Sequence, residues 1–309
     1  MSKQKEMEDK APKYNRIKPL TNFLFSLVFV MCALVAVVPV VFTGIISVTS
    51  EASIAKNGYS FFPEEFSLEA YRYIWEQGDV IFRAFCVSIF ITVLGTIVGL
   101  SLMASMGYVI SRRSFPFRKF FNIMIVIPLV FSGGMVANYL VITQLLNLKD
   151  TIWVLILPSA VSTFYIMVLR TFFTTSVPEA IVESAKIDGA SQLTVFLRIV
   201  LPISLPALAT VGLMLSFRYW NEWFSAMMYL DEAKLFPLQY VLISIENDIE
   251  FLTTNSQMIG SGVIGMIDNL PSETARMALV MIVVLPIACI YPFFQQYFVS
   301  GLTVGATKE

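Results

Sequence analysis

Long apolar runs dominate the chain, at approximately residues 22–47, 80–110, 120–145, 152–173, 202–229 and 275–299. A helix needs about 20 apolar residues to cross a bilayer, and each run meets that length. A membrane barrel would instead alternate polar and apolar positions over short segments, and these runs do not. The pattern therefore predicts an all-α membrane protein with six transmembrane helices. Pro39, Pro128, Pro158 and Pro286 fall inside runs, and Gly133-Gly134 sits mid-way through the third. Such breakers kink membrane helices where neighbours re-satisfy the backbone. Gly95 and Gly99 form a small-xxx-small pair that permits close helix approach.

The charges between runs set the expected orientation. The N-terminal tail carries Lys3, Lys5, Lys10, Lys13, Arg16 and Lys18 against Glu6, Glu8 and Asp9. The loop after the second run carries Arg112, Arg113, Arg118 and Lys119 with no acid. The first loop is acidic, with Glu51, Glu64, Glu65, Glu69, Glu76 and Asp79 against Lys56 and Arg72. The segment after the fifth run is also acidic, holding Asp231, Glu232, Glu246, Asp248, Glu250, Asp268 and Glu273 against Lys234. Basic segments stay in the cytoplasm, so both termini and the loop 177–206 are expected inside. The resulting plan is a cytoplasmic tail over 1–21, a first helix over 22–47 and an extracytoplasmic loop over 48–79. A five-helix domain follows over 80–299, then a cytoplasmic tail over 300–309.

Composition agrees with a membrane chain: 57% hydrophobic, 14% charged and a mean hydropathy of +0.74, where soluble domains run near 45–50% apolar and about 25% charged. The net charge of −1 says less than the placement of charge. There is no histidine, which removes imidazole bases and most transition-metal sites. Cys32, Cys86 and Cys289 lie in apolar stretches at no metal or redox spacing, and read as small packing residues. No phosphate loop and no dinucleotide fingerprint is present. No cofactor is expected in this chain, and any ATP must be bound elsewhere. The first apolar run is too long for a signal-peptide core and reads as a retained span. No internal repeat of the kind seen in many secondary carriers is visible.

Between the fourth and fifth runs lies VPEAIVESAKIDGASQLTVFLRIVLPISLP, residues 177–206. Its first half predicts a helix entered at Ser176, with Pro178 in the first turn and Glu179 near the positive dipole end. Ala180 with Ser184, and Ile181 with Ala185, recur at helical spacing and form a small, mildly apolar face. Asp188-Gly189 ends the helix, since glycine enters the left-handed region cheaply. A second helix is expected from Ser191, with Leu193, Phe196, Leu197 and Val200 buried, and with Pro202 and Pro206 bracketing the return to the membrane. From the residues alone this is either an amphipathic connector on the membrane surface or an element on which a soluble protein docks.

The order Glu183-Ser184-Ala185, three residues, Gly189, nine residues, then Ile199-Val200-Leu201-Pro202 resembles the EAA loop of ABC importer permeases. Ser184 stands where that family usually has alanine. The resemblance implies that Glu183, Ser184, Ala185, Lys186, Asp188 and Gly189 couple the chain to an ATPase. In it, Glu183 is the acidic anchor, Ala185 fits the ATPase cleft and Gly189 makes the corner. Residues 131–173, 216–223 and 270–309 are similar to carbohydrate-uptake permeases, closest to the branch associated with complex oligosaccharides. The tail Gly301-Leu302-Thr303-Val304-Gly305-Ala306-Thr307-Lys308 resembles the family's C-terminus, with Glu309 where a terminal glycine is common.

This resemblance implies the type I ABC importer permease fold and a bacterial cell-membrane assembly. Its expected partners are a second, different permease, two ATPase subunits holding ATP and Mg, an extracytoplasmic sugar-binding lipoprotein, an oligosaccharide and the bilayer. No nucleic acid is expected, and the chain is expected not to be an enzyme. Transport would be alternating access, shifted by ATP through contacts that differ between states.

Arg218 and Glu222 lie four apart, with Arg218 roughly 24 Å along the helix from Pro202, in its outer third. Charges at such depth face an aqueous path or a partner. In one reading Arg218, Asn221 and Glu222 line a sugar route, with Trp220 or Trp223 stacking on the sugar. In the other, Arg218 and Glu222 form a structural ion pair and the tryptophans an interfacial belt. Asn138, Tyr139 and Tyr165 are further path candidates, or they bond neighbouring helices. A secondary carrier would want repeated halves and a buried coupling site, hinted at only by Arg218 and Glu222. An intramembrane enzyme would want paired aspartates or a Ser/Lys dyad, and neither stands out.

Overall fold

The computed structural model describes residues 18–76, 78–254 and 272–306. Among the described residues, regular structure is helical apart from an isolated antiparallel bridge between Thr49 and Phe66. The chain forms two compact units: residues 18–72 with 272–281, and 73–254 with 282–306. The tail 1–17, the segment 255–271 with Asp268, and residues 307–309 lie outside the described residues.

In the first unit, helix α1 (Pro19–Ser47) has proline in its first turn, where the missing N–H costs nothing. Pro39 lies inside it without ending it. Most of its side chains, Phe23, Phe29 and Val35 among them, are exposed, as a helix bathed in lipid requires. Helix α2 (Glu51–Asn57) stops at Gly58, whose φ is +72°. The Glu51 carboxylate accepts hydrogen bonds from the backbone N–H groups of Glu273 and Thr274, each at 3.2 Å, and from the Thr274 hydroxyl at 2.8 Å. An acid there satisfies orphan donors and meets the positive end of the last helix, Ser272–Ala306.

The second unit is organised around helix α3 (Gly78–Ser111). Met103 and Tyr108 of α3 share a core with Ile166, Leu169 and Phe173 of α4 (Thr163–Ser176), and with Val211, Leu215 and Tyr219 of α5 (Leu205–Trp220). Glycines make these approaches possible. A methyl on Gly99 would meet the Ala160 carbonyl oxygen at 2.6 Å, and one on Gly107 would meet the Ile166 carbonyl oxygen at 3.3 Å.

The expectation of six long transmembrane helices is corrected. Among the described residues, three helices are long and apolar enough to cross a membrane, Pro19–Ser47, Gly78–Ser111 and Glu273–Pro292, or up to five if each of two bent pairs is one span. The third run bends by 119° between Arg118–Val130 and Gly134–Leu145, at Gly134 with φ +77°. The fifth is entered through a bend of 82° between Gln192–Ile203 and Leu205–Trp220, at the return to the membrane that Pro202 and Pro206 bracket, and its helix stops at Trp220. The fourth is divided into Trp153–Ile156 and α4 by a segment containing Pro158. Proline removes a helical donor and disfavours the α region before it, and α4 alone, at about 1.5 Å per residue, falls short of the hydrocarbon thickness. Hydropathy counted each run as continuous, whereas breaks inside three of them cut the helices. The expectation of cytoplasmic termini falls partly on residues outside those described. Cys32, Cys86 and Cys289 are free and exposed rather than packed.

Candidate functional site

The segment after α4 folds as two short helices joined by a tight corner. Helix α6 (Glu179–Ile187) starts after Pro178, two residues later than the sequence suggests, with Glu179 in its first turn and Lys186 in its last. Both charges suit the dipole. The Gly189 N–H donates to the Lys186 carbonyl at 3.0 Å, and the Ala190 N–H to the Ala185 carbonyl at 2.9 Å. With Gly189 at φ +84°, this is a Schellman C-cap, which satisfies two carbonyls that the helix end leaves orphaned. Ser191 then caps the next helix: its Oγ accepts from the Thr194 N–H at 3.2 Å.

Packing divides this corner into an anchored side and an open side. Val182, Val195 and Val200 are buried in the same core as Tyr108 and Phe173, with Ala185 and Ala190 packed against it. Glu183, Ser184, Asp188 and Gly189 are exposed, and Ala185 and Lys186 are half-buried. Ile187 is 86% exposed and Leu193 65%. The expected burial of Leu193 and Leu197 is not observed: Val195 takes the inward position and both leucines are exposed. The helix is α-helical over Gln192–Val195 and π-helical over Phe196–Val200, and Phe196 and Val200 keep the inward side that the spacing predicts. The result is an elbow anchored in the core on one side, with an acid, Glu183, and bare aliphatics on its exposed side.

The intramembrane candidates separate. Helix α5 ends at Trp220 with Asn221 as its cap, so Arg218 and Glu222 do not share a helical face. Among the described residues no ion pair joins them. Glu222 instead accepts from the Ser225 N–H at 2.9 Å at the start of the next helix, Phe224–Tyr229. Trp220 is buried, edge-on to Phe85 at 5.9 Å, and its Nε1 donates to the Val283 carbonyl at 3.3 Å. It is occupied by the protein's own packing. Arg218, Asn221, Trp223 and Asn138 are exposed. Tyr139 stacks on Tyr229 at 5.6 Å, and half-buried Tyr165 meets Phe164 edge-on.

A staple between two loops went unforeseen. Asp150 Oδ1 accepts from the Asp231 N–H at 3.0 Å and the Glu232 N–H at 2.8 Å, and the Asp150 N–H donates to the Tyr229 carbonyl at 2.9 Å. Lys149 pairs with Asp231 at 2.9 Å, and this bond raises the lysine's pKa above its ordinary value. Asn147 and Asp150 adopt φ of +50° and +56°, a region these side chains tolerate better than most. The Asn-Leu-Lys-Asp spacing was the available signal.

The sequence model of the binding-protein-dependent transport system inner membrane component matches residues 91–304, which include the elbow, α4, α5 and α3 from Ile91 onward. The chain belongs to this family. It is a multi-pass membrane permease subunit of a sugar-importing ABC transporter of the bacterial inner membrane. Such a permease works in a multi-subunit complex with an ATPase and a substrate-binding protein. The chain is 35% identical over 294 residues to the polygalacturonan/rhamnogalacturonan transport system permease protein YtcP of Bacillus subtilis (strain 168), covering 95% of this chain and 99% of that one. It is 36% identical over 262 residues to protein LplC of the same organism, covering 85% and 86%. Its fold is similar to a chain in the crystal structure of a bacterial ABC transporter importing the acidic polysaccharide alginate. There the TM-score is 0.76 at 24% identity, over 93% of this permease and 100% of that chain.

Proposed function

We propose that this permease carries oligosaccharides, acidic ones among them, and that the elbow over residues 177–206 is where an ATPase subunit drives it. The observation that carries this reading is the elbow's two-sidedness: Val182 and Val195 tie it to the transmembrane core while Glu183, Ile187 and Leu193 stay bare. An element so anchored transmits a push without deforming, because packed cores are dense and poorly compressible. Glu183, Ser184, Ala185, Lys186, Asp188 and Gly189 form the coupling set, with Glu183 the polar anchor and Gly189 the corner. The basic loop 112–119 and the elbow are on the cytoplasmic side, and the acidic loop 48–79 is outside, in keeping with the bias of basic residues.

A polymeric sugar as cargo is supported by the relatives: YtcP serves polygalacturonan/rhamnogalacturonan transport, and the structurally similar transporter imports the acidic polysaccharide alginate. Arg218 is exposed and unpaired with any acid among the described residues. A guanidinium suits a sugar carboxylate, which it can grip with two parallel bonds. Asn221, Glu222, Trp223, Asn138 and Tyr139 are the accompanying path candidates, and Trp220 supports them from the core. The complete assembly contains a second, different permease, two ATPases and a lipid-anchored sugar-binding protein. The deciding experiment reconstitutes that assembly in vesicles and follows ATP-dependent uptake of labelled oligogalacturonides and neutral arabino-oligosaccharides. Uptake of neither, with ATPase activity intact, would reject the cargo; uptake without ATP would reject the coupling.

A further inference from the structure

Helix Arg118–Val130 and helix α4 flank an open groove of about 730 Å³. Its walls are apolar, formed by Val126, Val130 and Met167 among others, while Arg118, Lys119 and Arg170 gather at one end; among the described residues no acid lines it. Two buried polar atoms at that end have no hydrogen-bond partner, Nε of Arg170 and Oδ1 of Asn122. Arg118 is held in place by donating from Nε to the Ile110 carbonyl at 3.0 Å, and Asn122 by donating to the Arg118 carbonyl at 2.7 Å. Arg118 is therefore preset, and Lys119 and Arg170 stand with it in the lining of a hydrocarbon slot. Buried donors without partners are uncommon, and of these two atoms the Arg170 Nε is the donor that an anion suits.

We infer that this groove is a binding site for one anionic phospholipid, its phosphate among Arg118, Lys119 and Arg170 and an acyl chain along Val126 and Val130. Lys119, Asn122 or Ile123, Val126 and Val130 recur at helical spacing, so one face of the helix lines the slot. That helix rises about 20 Å from Arg118 to Val130, enough to cover one leaflet of a hydrocarbon core about 30 Å thick. Anionic lipids concentrate in the cytoplasmic leaflet and attract basic residues next to the membrane. The mouth belongs to the basic loop placed on that side above; the inference uses this sidedness but not the cargo or the coupling. A sugar would find too few polar groups along these walls.

The test uses the full chain in its assembled importer, in phosphatidylcholine vesicles doped with photoactivatable phosphatidylglycerol or photoactivatable phosphatidylcholine. Phosphatidylglycerol is expected to label residues 118–131. The double variant Lys119→Gln with Arg170→Gln should lower that labelling roughly twenty-five-fold, about fivefold per cation, and leave phosphatidylcholine labelling unchanged. Val126→Trp, which fills the slot and keeps both cations, should also abolish it, so a folding defect in one variant does not decide the matter. Equal labelling of the two lipids, or undiminished labelling in both variants, would overturn the site. Displacement of the probe by inorganic phosphate alone would reassign it to a soluble anion. A photo-crosslinker at position 126 that captures another subunit instead of lipid would make the groove a protein interface.

Discussion

Tyr219 lies against Gly95 so closely that a methyl in place of the glycine hydrogen would sit 2.5 Å from the tyrosine Cζ. The ring has no room to withdraw, because it is fully buried and its hydroxyl donates to the Ile156 carbonyl at 2.8 Å. Overpacking of this kind costs about 1–3 kcal/mol. Gly95→Ala should therefore lower the thermal unfolding midpoint of the detergent-solubilised chain. Adding Tyr219→Leu should recover part of the loss, giving a coupling energy in a double-mutant cycle. Additive losses would mean that the two residues do not oppose each other. Gly99→Ala should cost at least as much, since its obstacle is the backbone oxygen of Ala160.

At Gly189 the constraint is conformational rather than steric. Nothing lies within 4 Å of a Cβ built there, yet φ is +84°. An L-residue pays about 1–2 kcal/mol for such a conformation, least for asparagine. Gly189→Val is expected to loosen the elbow, cutting ATP-driven uptake more than tenfold while membrane insertion stays normal. Gly189→Asn should retain much of the uptake. Equal uptake in both variants would remove the corner from the mechanism.

Glu183 tests the docking face directly. Its carboxylate is exposed and close in sequence to bare Ile187, so Glu183→Lys reverses charge without touching the core. Uptake and stimulation of ATP hydrolysis by the binding protein should fall together, by tenfold or more if the anchor is desolvated on docking, since severing a buried charge pair costs about 2–5 kcal/mol. Wild-type values of both would show that the ATPase reads another surface.

The Asp150 staple predicts a local effect. Asp150→Asn keeps one carbonyl oxygen and the tolerance for positive φ, whereas Asp150→Ala loses both. Hydrogen bonds to a charged acceptor contribute about 1.5–3 kcal/mol each when shielded, and less here because the site is exposed. Hydrogen exchange at the Asp231 and Glu232 amides should therefore accelerate severalfold in the alanine variant and little in the asparagine variant. Unchanged exchange in the alanine variant would show that the staple does not hold the loop.

Much of the architecture was legible from the residues, and the failures share a cause. The ends of α1 and α3 follow from where the apolar runs stop. The corner at Gly189 follows from glycine's access to positive φ. Hydropathy averages over breaks, so those at Gly134, Pro158 and Trp220 did not reduce the count of spans. Helical periodicity puts Leu193 and Leu197 on one stripe, four apart, and the helix turns Val195 inward in place of that stripe. The pairing of Arg218 with Glu222 assumed a helix continuing past Trp220. The Asn-Glu-Trp that follows carries no proline or glycine to announce the stop. Contacts distant in sequence, such as Glu51 with Thr274 or Tyr219 with Gly95, leave no local pattern at all.

One hydrogen bond in the first unit makes a pH prediction. The Tyr59 hydroxyl donates to Glu273 Oε2 at 2.7 Å, and this bond, ahead of burial and the nearby acids, raises the phenol's pKa above its usual value. The bond needs the phenol protonated. Its stabilisation is thus fully present below the ordinary tyrosine pKa of about 10, and is lost as pH rises through the raised folded value. Glu273 also pairs with Arg276 at 3.5 Å, so the acid stays oriented when the phenol ionises. Because the bond is exposed, its contribution is at most about 1 kcal/mol. Tyr59→Phe should lower the unfolding midpoint by a few degrees near neutral pH, and the gap from the natural chain should close above about pH 10. A gap that persists in strong alkali would assign the loss to packing of the ring, which both side chains share, and not to the proton between Tyr59 and Glu273.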